Sequence, residues 1–162
     1  MNIENYIGGE LVKPASGEYL DNFNPATGEV YSYIPDSDDR DVHLAVEAAK
    51  LAFPSWSMTT AEARHDVVMR LAALIERDLE ELAAAESIDN GKPVSLARSV
   101  DIPRAVSNFK FYATAAMHTA NESHDMAGTA INYTLRQPLG VVGCISPWNL
   151  PFIYLAGRSR RR

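Results

Sequence analysis

The chain has 162 residues, 46% hydrophobic and 22% charged, with 9 Gly and 9 Pro; that is the composition of one soluble globular domain and excludes a disordered tail, a collagen-like fibre and a low-complexity linker. Net charge is −6, yet four of the 15 basic residues are Arg158, Arg160, Arg161 and Arg162, while all 21 acids precede them. So acidic a body repels phosphate backbones, and nucleic-acid binding is not expected. The one cysteine, Cys144, excludes an internal disulfide and a multi-cysteine zinc site. The amino terminus has no basic segment leading into an apolar one, and no apolar run is long enough to span a bilayer, so a cytoplasmic location is expected and no membrane partner.

Residues 3–34 read as short strands separated by turns. Gly8-Gly9 between Tyr6-Ile7 and Glu10-Leu11-Val12 is a hairpin signal, and Asn24-Pro25-Ala26-Thr27-Gly28 is a turn before the alternating Val30-Tyr31-Ser32-Tyr33-Ile34. Pro35-Asp36-Ser37-Asp38-Asp39 then starts a helix with Val42, Val46, Ala49 and Phe53 on one face, which Pro54 is expected to end. Thr60 caps a second helix, whose apolar stripe is Val67, Val68, Leu71, Leu74, Ile75, Leu79 and Leu82 and which runs to Asn90-Gly91-Lys92-Pro93. On it, Glu80-Glu81 and Glu86 with Asp89 are expected on a solvated face, since neighbours in sequence do not face one another on a helix. A third helical stretch spans about Val94 to Met117. It restarts at Asp101-Ile102-Pro103, with Asp101 as cap, and buries Val106, Phe109, Tyr112, Ala113 and Ala116. Phe109, Phe111, Tyr112 and Trp56 are expected mostly in the core.

Beyond a polar loop containing Asn121, Glu122, Ser123 and His124, residues 131–136 alternate like a half-buried strand. Pro138-Leu139-Gly140 forms a corner, and Val141-Val142-Gly143-Cys144-Ile145 reads as a fully buried, parallel-type strand. Cys144 inside it is expected to be an inert core thiol. His43, His65, His118 and His124 have no ligand spacing and read as solvated; no metal is expected.

In open α/β sheets ligands bind beyond the carboxyl ends of strands, which makes Ser146-Pro147-Trp148-Asn149 the best-placed group in the sequence. Pro147 and Pro151 stiffen the segment, and the Asn149 amide is a neutral donor able to stabilise an oxyanion. From the residues alone, a structural loop around a buried Trp148 is an equal alternative. Gly140-Val141-Val142-Gly143 lacks the third glycine of a dinucleotide fingerprint.

Pro138-Leu139-Gly140-Val141-Val142-Gly143, followed by Ile145-Ser146-Pro147-Trp148-Asn149-Leu150-Pro151, resembles the entrance to the coenzyme domain of the NAD(P)-dependent aldehyde dehydrogenase superfamily. Four earlier features agree in order: Tyr6-Ile7-Gly8-Gly9, Asn24-Pro25-Ala26-Thr27-Gly28-Glu29-Val30, Ala45 to Ala49 with Phe53-Pro54-Ser55-Trp56, and Asp89-Asn90-Gly91-Lys92-Pro93. Asp101-Ile102-Pro103-Arg104 with Asn108-Phe109 resembles the branch that oxidises muconic semialdehydes, such as 2-aminomuconic or 2-hydroxymuconic semialdehyde. The resemblance implies an α/β fold comprising the amino-terminal strands and helices of the family, with only the start of the Rossmann-like coenzyme domain.

It implies, further, that residues 1–127 are the β layer and helical part, 128–138 an oligomerisation-type strand, 139–156 the first coenzyme-domain strand and its loop, and 157–162 a basic tail outside the family pattern. Asn149 matches the oxyanion-stabilising asparagine, and Ile145, Ser146, Pro147 and Trp148 match the segment lining the NAD or NADP cleft. The small-molecule substrate implied is an aldehyde. The family's nucleophilic cysteine and general-base glutamate have no counterpart here, so a truncated chain without dehydrogenase activity of its own is expected. The alternative is a non-catalytic fragment that forms a homo- or hetero-oligomer through residues 131–136, an unpaired edge. A role for the arginine tail in binding RNA or anionic lipid ranks below both.

Overall fold

The computed structural model describes residues 1–153; Tyr154 to Ala156 and the arginine tail lie outside the described residues. The first hairpin pairs β1 (Asn5–Ile7) with β2 (Glu10–Val12), with Tyr6 opposite Leu11. Gly8 and Gly9 both have positive φ, 64° and 92°, the conformation that a tight two-residue turn demands and that glycine adopts without steric cost. A second antiparallel pair joins β3 (Tyr19–Phe23) to β4 (Val30–Pro35), with a register shift at Asn22/Phe23. Asn24 organises the turn between them: its carbonyl accepts from Thr27 and Gly28, and its side chain accepts from the Ala26 amide at 2.9 Å.

Helix α1 (Asp39–Ser57) begins in a reciprocal cap. Asp38 accepts from the Arg40 amide, and Asp41 in the first turn reaches back to the Asp38 amide at 3.0 Å. Asp41 is buried because its other oxygen accepts the Ala15 amide at 2.9 Å, which ties the β2–β3 connection to the helix start. Pro54 does not end α1. The helix continues for three residues beyond it, and hydroxyls take up carbonyls at its end: Ser55 on Ala52, Ser57 on Pro54 and, just past the helix, Thr59 on Trp56. The expected inner face is largely open; Val42 and Ala49 are exposed, and Val46 and Phe53 half-buried.

The single second helix of the sequence reading is two helices, α2 (Ala61–Arg77), capped by the Thr60 hydroxyl, and α3 (Leu79–Asn90). The chain bends at Asp78, whose φ and ψ of −98° and 23° leave the helical region. Apolar spacing continues from Ile75 to Leu79 and Leu82 across the bend, so periodicity alone does not reveal it. The stripe also divides. Ala72 and Ile75 are buried and Val68 half-buried, whereas Val67, Leu71 and Leu74 are exposed.

A short helix α4 (Val94–Leu96) runs into a wide turn at Ala97–Asp101 and then α5 (Ile102–Met117). The Ile102 amide donates to the Ala97 carbonyl, five residues back. Pro103 accounts for the wide turn: it has no amide to give the Ser99 carbonyl, and its ring would crowd that oxygen in a regular helix. Asp101 caps nothing. It has helical dihedrals and turns its carboxylate inward.

The core lies where α2 packs along α5, with α3 and the wide turn closing one end. It contains Ala72, Ile75, Ala83, Ala97, Ile102, Ala105, Val106 and Phe109. Half of these are alanine, which lets the helix backbones approach closely. Ala113 is buried and Tyr112 and Ala116 half-buried, as α5's spacing implies, but Phe111 and Trp56 are exposed.

Residues 123–125, expected in a loop, form β5 (Ser123–Asp125), which pairs antiparallel with β6 (Ile131–Tyr133). The strand expected over 131–136 is three residues long and exposed rather than half-buried. Val141–Ile145, expected as a buried strand, pairs with no strand among the described residues, and Cys144 is exposed rather than in the core. Such a strand draws its burial from ladder neighbours and helices on both faces, and none of the described elements supplies them. No described helix is long and apolar enough to cross a membrane.

Candidate functional site

The segment Ile145-Ser146-Pro147-Trp148-Asn149 stands in solvent. Ile145 is 86% and Trp148 79% exposed, which removes the reading of a structural loop around a buried indole. The Asn149 carboxamide makes no hydrogen bond with the described residues, so its donors are free for a ligand. Leu150 and Pro151 are half-buried, the chain is helical at 151–153, and Phe152 packs on the helical core.

A second fastening is polar. Lys92 Nζ donates to the Asn149 backbone carbonyl at 3.3 Å, to Glu86 Oε1 at 3.1 Å and to Asp101 Oδ2. Glu86 and Asp101 are each 3% exposed. Glu86 was expected on a solvated face and Asp101 as a helix cap; instead both carboxylates converge on one lysine between α3 and the wide turn. Asp89 is no idle surface acid either, since it accepts the Tyr31 hydroxyl at 2.8 Å.

Local chemistry turns Lys92 inward. Gly91 ends α3 with a φ of 77°, in the left-handed region, and reverses the chain there. A Cβ on Gly91 would also stand 3.1 Å from the Pro25 Cβ, so the turn at Asn24–Gly28 packs against this helix end. The Lys92 amide then donates to Asn90 Oδ1 at 3.1 Å and its carbonyl accepts the Ser87 hydroxyl at 2.6 Å, clamping its backbone. Two motifs 60-odd residues apart in the chain are thus one contact.

Burial pushes the Glu86 carboxyl above the usual carboxylate range, against the opposing pull of Lys92 and Asn90. Its second oxygen, Oε2, is buried without a hydrogen-bond partner among the described residues, so nothing there offsets the burial of a charge. Lys92 is held above its ordinary value: burial opposes its charge, and the hydrogen bonds to Asp101 and Glu86 outweigh that opposition. A group that binds its proton more tightly folded than unfolded stabilises the fold at low pH and loses that contribution as pH rises through its folded value. Glu86→Gln is therefore expected to remove a decline in stability that the parent shows as pH climbs from the ordinary glutamate range towards neutrality. Urea midpoints measured across pH 4 to 8 test this, and parallel curves for parent and variant would refute it.

Sequence reasoning singled out Asn149 and its loop and missed the lysine beneath it. Gly91-Lys92-Pro93 signals a helix stop, and no local pattern says that a lysine after such a stop turns inward. The signal was available only as three charges, Glu86, Lys92 and Asp101, set around a glycine turn and a proline-disturbed helix. Among the described residues no group of three metal-ligating side chains occurs.

A model of the aldehyde dehydrogenase family matches residues 11–159. The chain is 48% identical over 154 residues to the 2-aminomuconic semialdehyde dehydrogenase of Bos taurus and 50% identical to that of Danio rerio, in each case over 94% of this chain and 31% of the relative. Among solved structures, it superposes on an NAD+ complex of the aldehyde dehydrogenase from Bacillus cereus with a TM-score of 0.93 at 35% identity, covering 99% of this chain and 33% of that one. The putative enzyme from Burkholderia cenocepacia gives a TM-score of 0.92 at 35% identity, over 98% of this chain and 32% of that one. The chain thus spans about a third of the length of these proteins, and its described elements are those of the amino-terminal part of their fold. With a family match over nearly its full length, the chain belongs to the aldehyde dehydrogenase family.

Proposed function

We propose that this chain serves the oxidation of an aldehyde, a muconic semialdehyde, to a carboxylate with NAD, contributing the loop that lines the coenzyme cleft and stabilises the oxyanion. The observation that carries the reading is the free Asn149 carboxamide on a loop fastened from behind by Phe152 and Lys92. Ile145, Pro147 and Trp148 present uncovered apolar surface next to the Ser146 hydroxyl, a combination that fits a flat nicotinamide ring with a polar edge. NAD, when bound, supplies the hydride acceptor. Asn149 donates from its side-chain amide to the oxygen of the aldehyde as that oxygen gains negative charge on attack by a thiolate, and the stiff Pro147-to-Pro151 segment keeps the donor aimed there. Residues 1–127, 128–138 and 139–156 then divide into a β and helical part, a subunit-pairing strand and the coenzyme entrance. A single cysteine suits the reducing cytoplasm.

The test grafts residues 1–156 in place of the matching segment of the bovine 2-aminomuconic semialdehyde dehydrogenase and follows NADH production. The chimera is expected to turn over a semialdehyde, and Asn149→Ala in it to lower kcat by roughly 100- to 1,000-fold, the usual cost of one oxyanion donor. An active chimera indifferent to Asn149→Ala would remove the assigned role.

A second reading rests on β6, whose Ile131 and Tyr133 are exposed together with Leu135. Among the described residues the strand pairs with β5 on one side only, which favours pairing with a second chain on the other. Light scattering on the chain mixed with an intact relative checks it; no complex would count against it.

A further inference from the structure

Lysine has three N–H donors on Nζ, and Lys92 uses them on three acceptors: Glu86, Asp101 and the Asn149 carbonyl. Two of these belong to the helical layer and are buried; the third lies 57 residues further on, in the loop. An ammonium held by two buried carboxylates cannot swing, so its remaining proton points in one direction. Glu86 is itself held, since Oε1 also accepts Asn90 Nδ2 at 3.3 Å, and Asp101 is presented by the wide turn that Pro103 imposes.

The bond to Asn149 falls on the backbone of the residue whose side chain is the proposed oxyanion donor, so the main chain is fixed while the carboxamide stays free. Phe152 fastens the loop three residues later, but a ring against a core resists separation more than rotation. A directed hydrogen bond supplies the missing constraint.

We infer that Lys92 is a positioning residue, which, oriented by Glu86 and Asp101, holds the Asn149 backbone and thereby sets the direction of the Asn149 side chain. The assignment rests on the proposed role of Asn149, but the anchor can be tested without it. Lys92→Met alone leaves two buried carboxylates unpaired and can unfold the chain, so the decisive variant is the neutral set Lys92→Met, Glu86→Gln and Asp101→Asn, which removes all three charges together. Backbone order is read by ¹⁵N relaxation on the full 162-residue chain, at Trp148, Asn149 and Leu150 and at Ala105, Val106 and Phe109 of α5. The neutral set is expected to drop the order parameters of 148–150 from the rigid range, about 0.85, to below about 0.6, with α5 unchanged. Glu86→Gln alone, which leaves the Lys92 bonds to Asp101 and Asn149 in place, is expected to keep the loop ordered. Unchanged order at 148–150 in the neutral set overturns the inference, as does a loss that extends equally through α5, because Lys92 would then act only on the fold. The chimera assay of Asn149→Ala judges the functional reading separately, so either can fail while the other stands.

Discussion

Replacing Lys92 by methionine is expected to destabilise the chain by about 3–5 kcal/mol at neutral pH, the usual cost of removing one partner from a buried ion cluster. Methionine matches the length of the lysine stem, so the loss is electrostatic rather than a packing defect. It leaves Glu86 and Asp101 facing one another in a buried site that already holds two negative charges against one positive. With a urea m-value of about 2 kcal/mol per M, the midpoint falls by roughly 2 M. Acidification should return part of the loss, since the Glu86 carboxyl, already held above the usual carboxylate range, becomes neutral; the neutral triple variant should lie much closer to the parent at every pH. A single variant as stable as the parent would show that the cluster is solvated and the burial argument wrong.

Phe109→Ala carries the second large effect, about 3–5 kcal/mol. Phe109 is 3% exposed on the face of α5 that meets α2, in a core whose other seven members are the alanines Ala72, Ala83, Ala97 and Ala105 beside Ile75, Ile102 and Val106. Helices already packed through four alanines have little room to close further, so most of the vacated volume stays as a cavity. Phe111→Ala, two residues on, removes the same ring from an exposed position, where it meets Tyr112 edge-on at 4.9 Å. It should cost about 1 kcal/mol or less. Thermal or urea unfolding of the two variants side by side is the measurement, and equal losses would refute the placement of the core.

Turns and caps were legible because their causes are local. Gly8-Gly9, Asn24 to Gly28, the Asp38 cap and the Gly91 stop act within four or five residues of themselves, and each stands where the residues put it. Pro54 and Asp101 misled for the complementary reason. A proline near a helix end strands one carbonyl without always stopping the helix, and whether an aspartate caps depends on whether a cation elsewhere claims it. The bend at Asp78 fell between apolar positions whose spacing was continuous, so the pattern carried no trace of it.

The candidate loop was half legible. Pro147, Trp148 and Asn149 announce a stiff polar segment after an apolar run, and all three are exposed. The buried strand before them did not form, because alternation and apolar runs describe what a segment can bury, not whether neighbours are present to bury it.

The amino-acid sequence by itself determined the hairpin turns at Gly8-Gly9 and Asn24 to Gly28, the Thr60 cap, the Gly91 stop and the family to which the chain belongs, since these rest on short-range residue chemistry and on motifs read in line. The tertiary structure alone decided which stripe of α2 is core, which acids are buried and that Lys92 lies beneath Asn149. Those depend on contacts between residues 6 to 57 positions apart, where free energy comes from desolvation and from pairing of charges brought together only when the helices close.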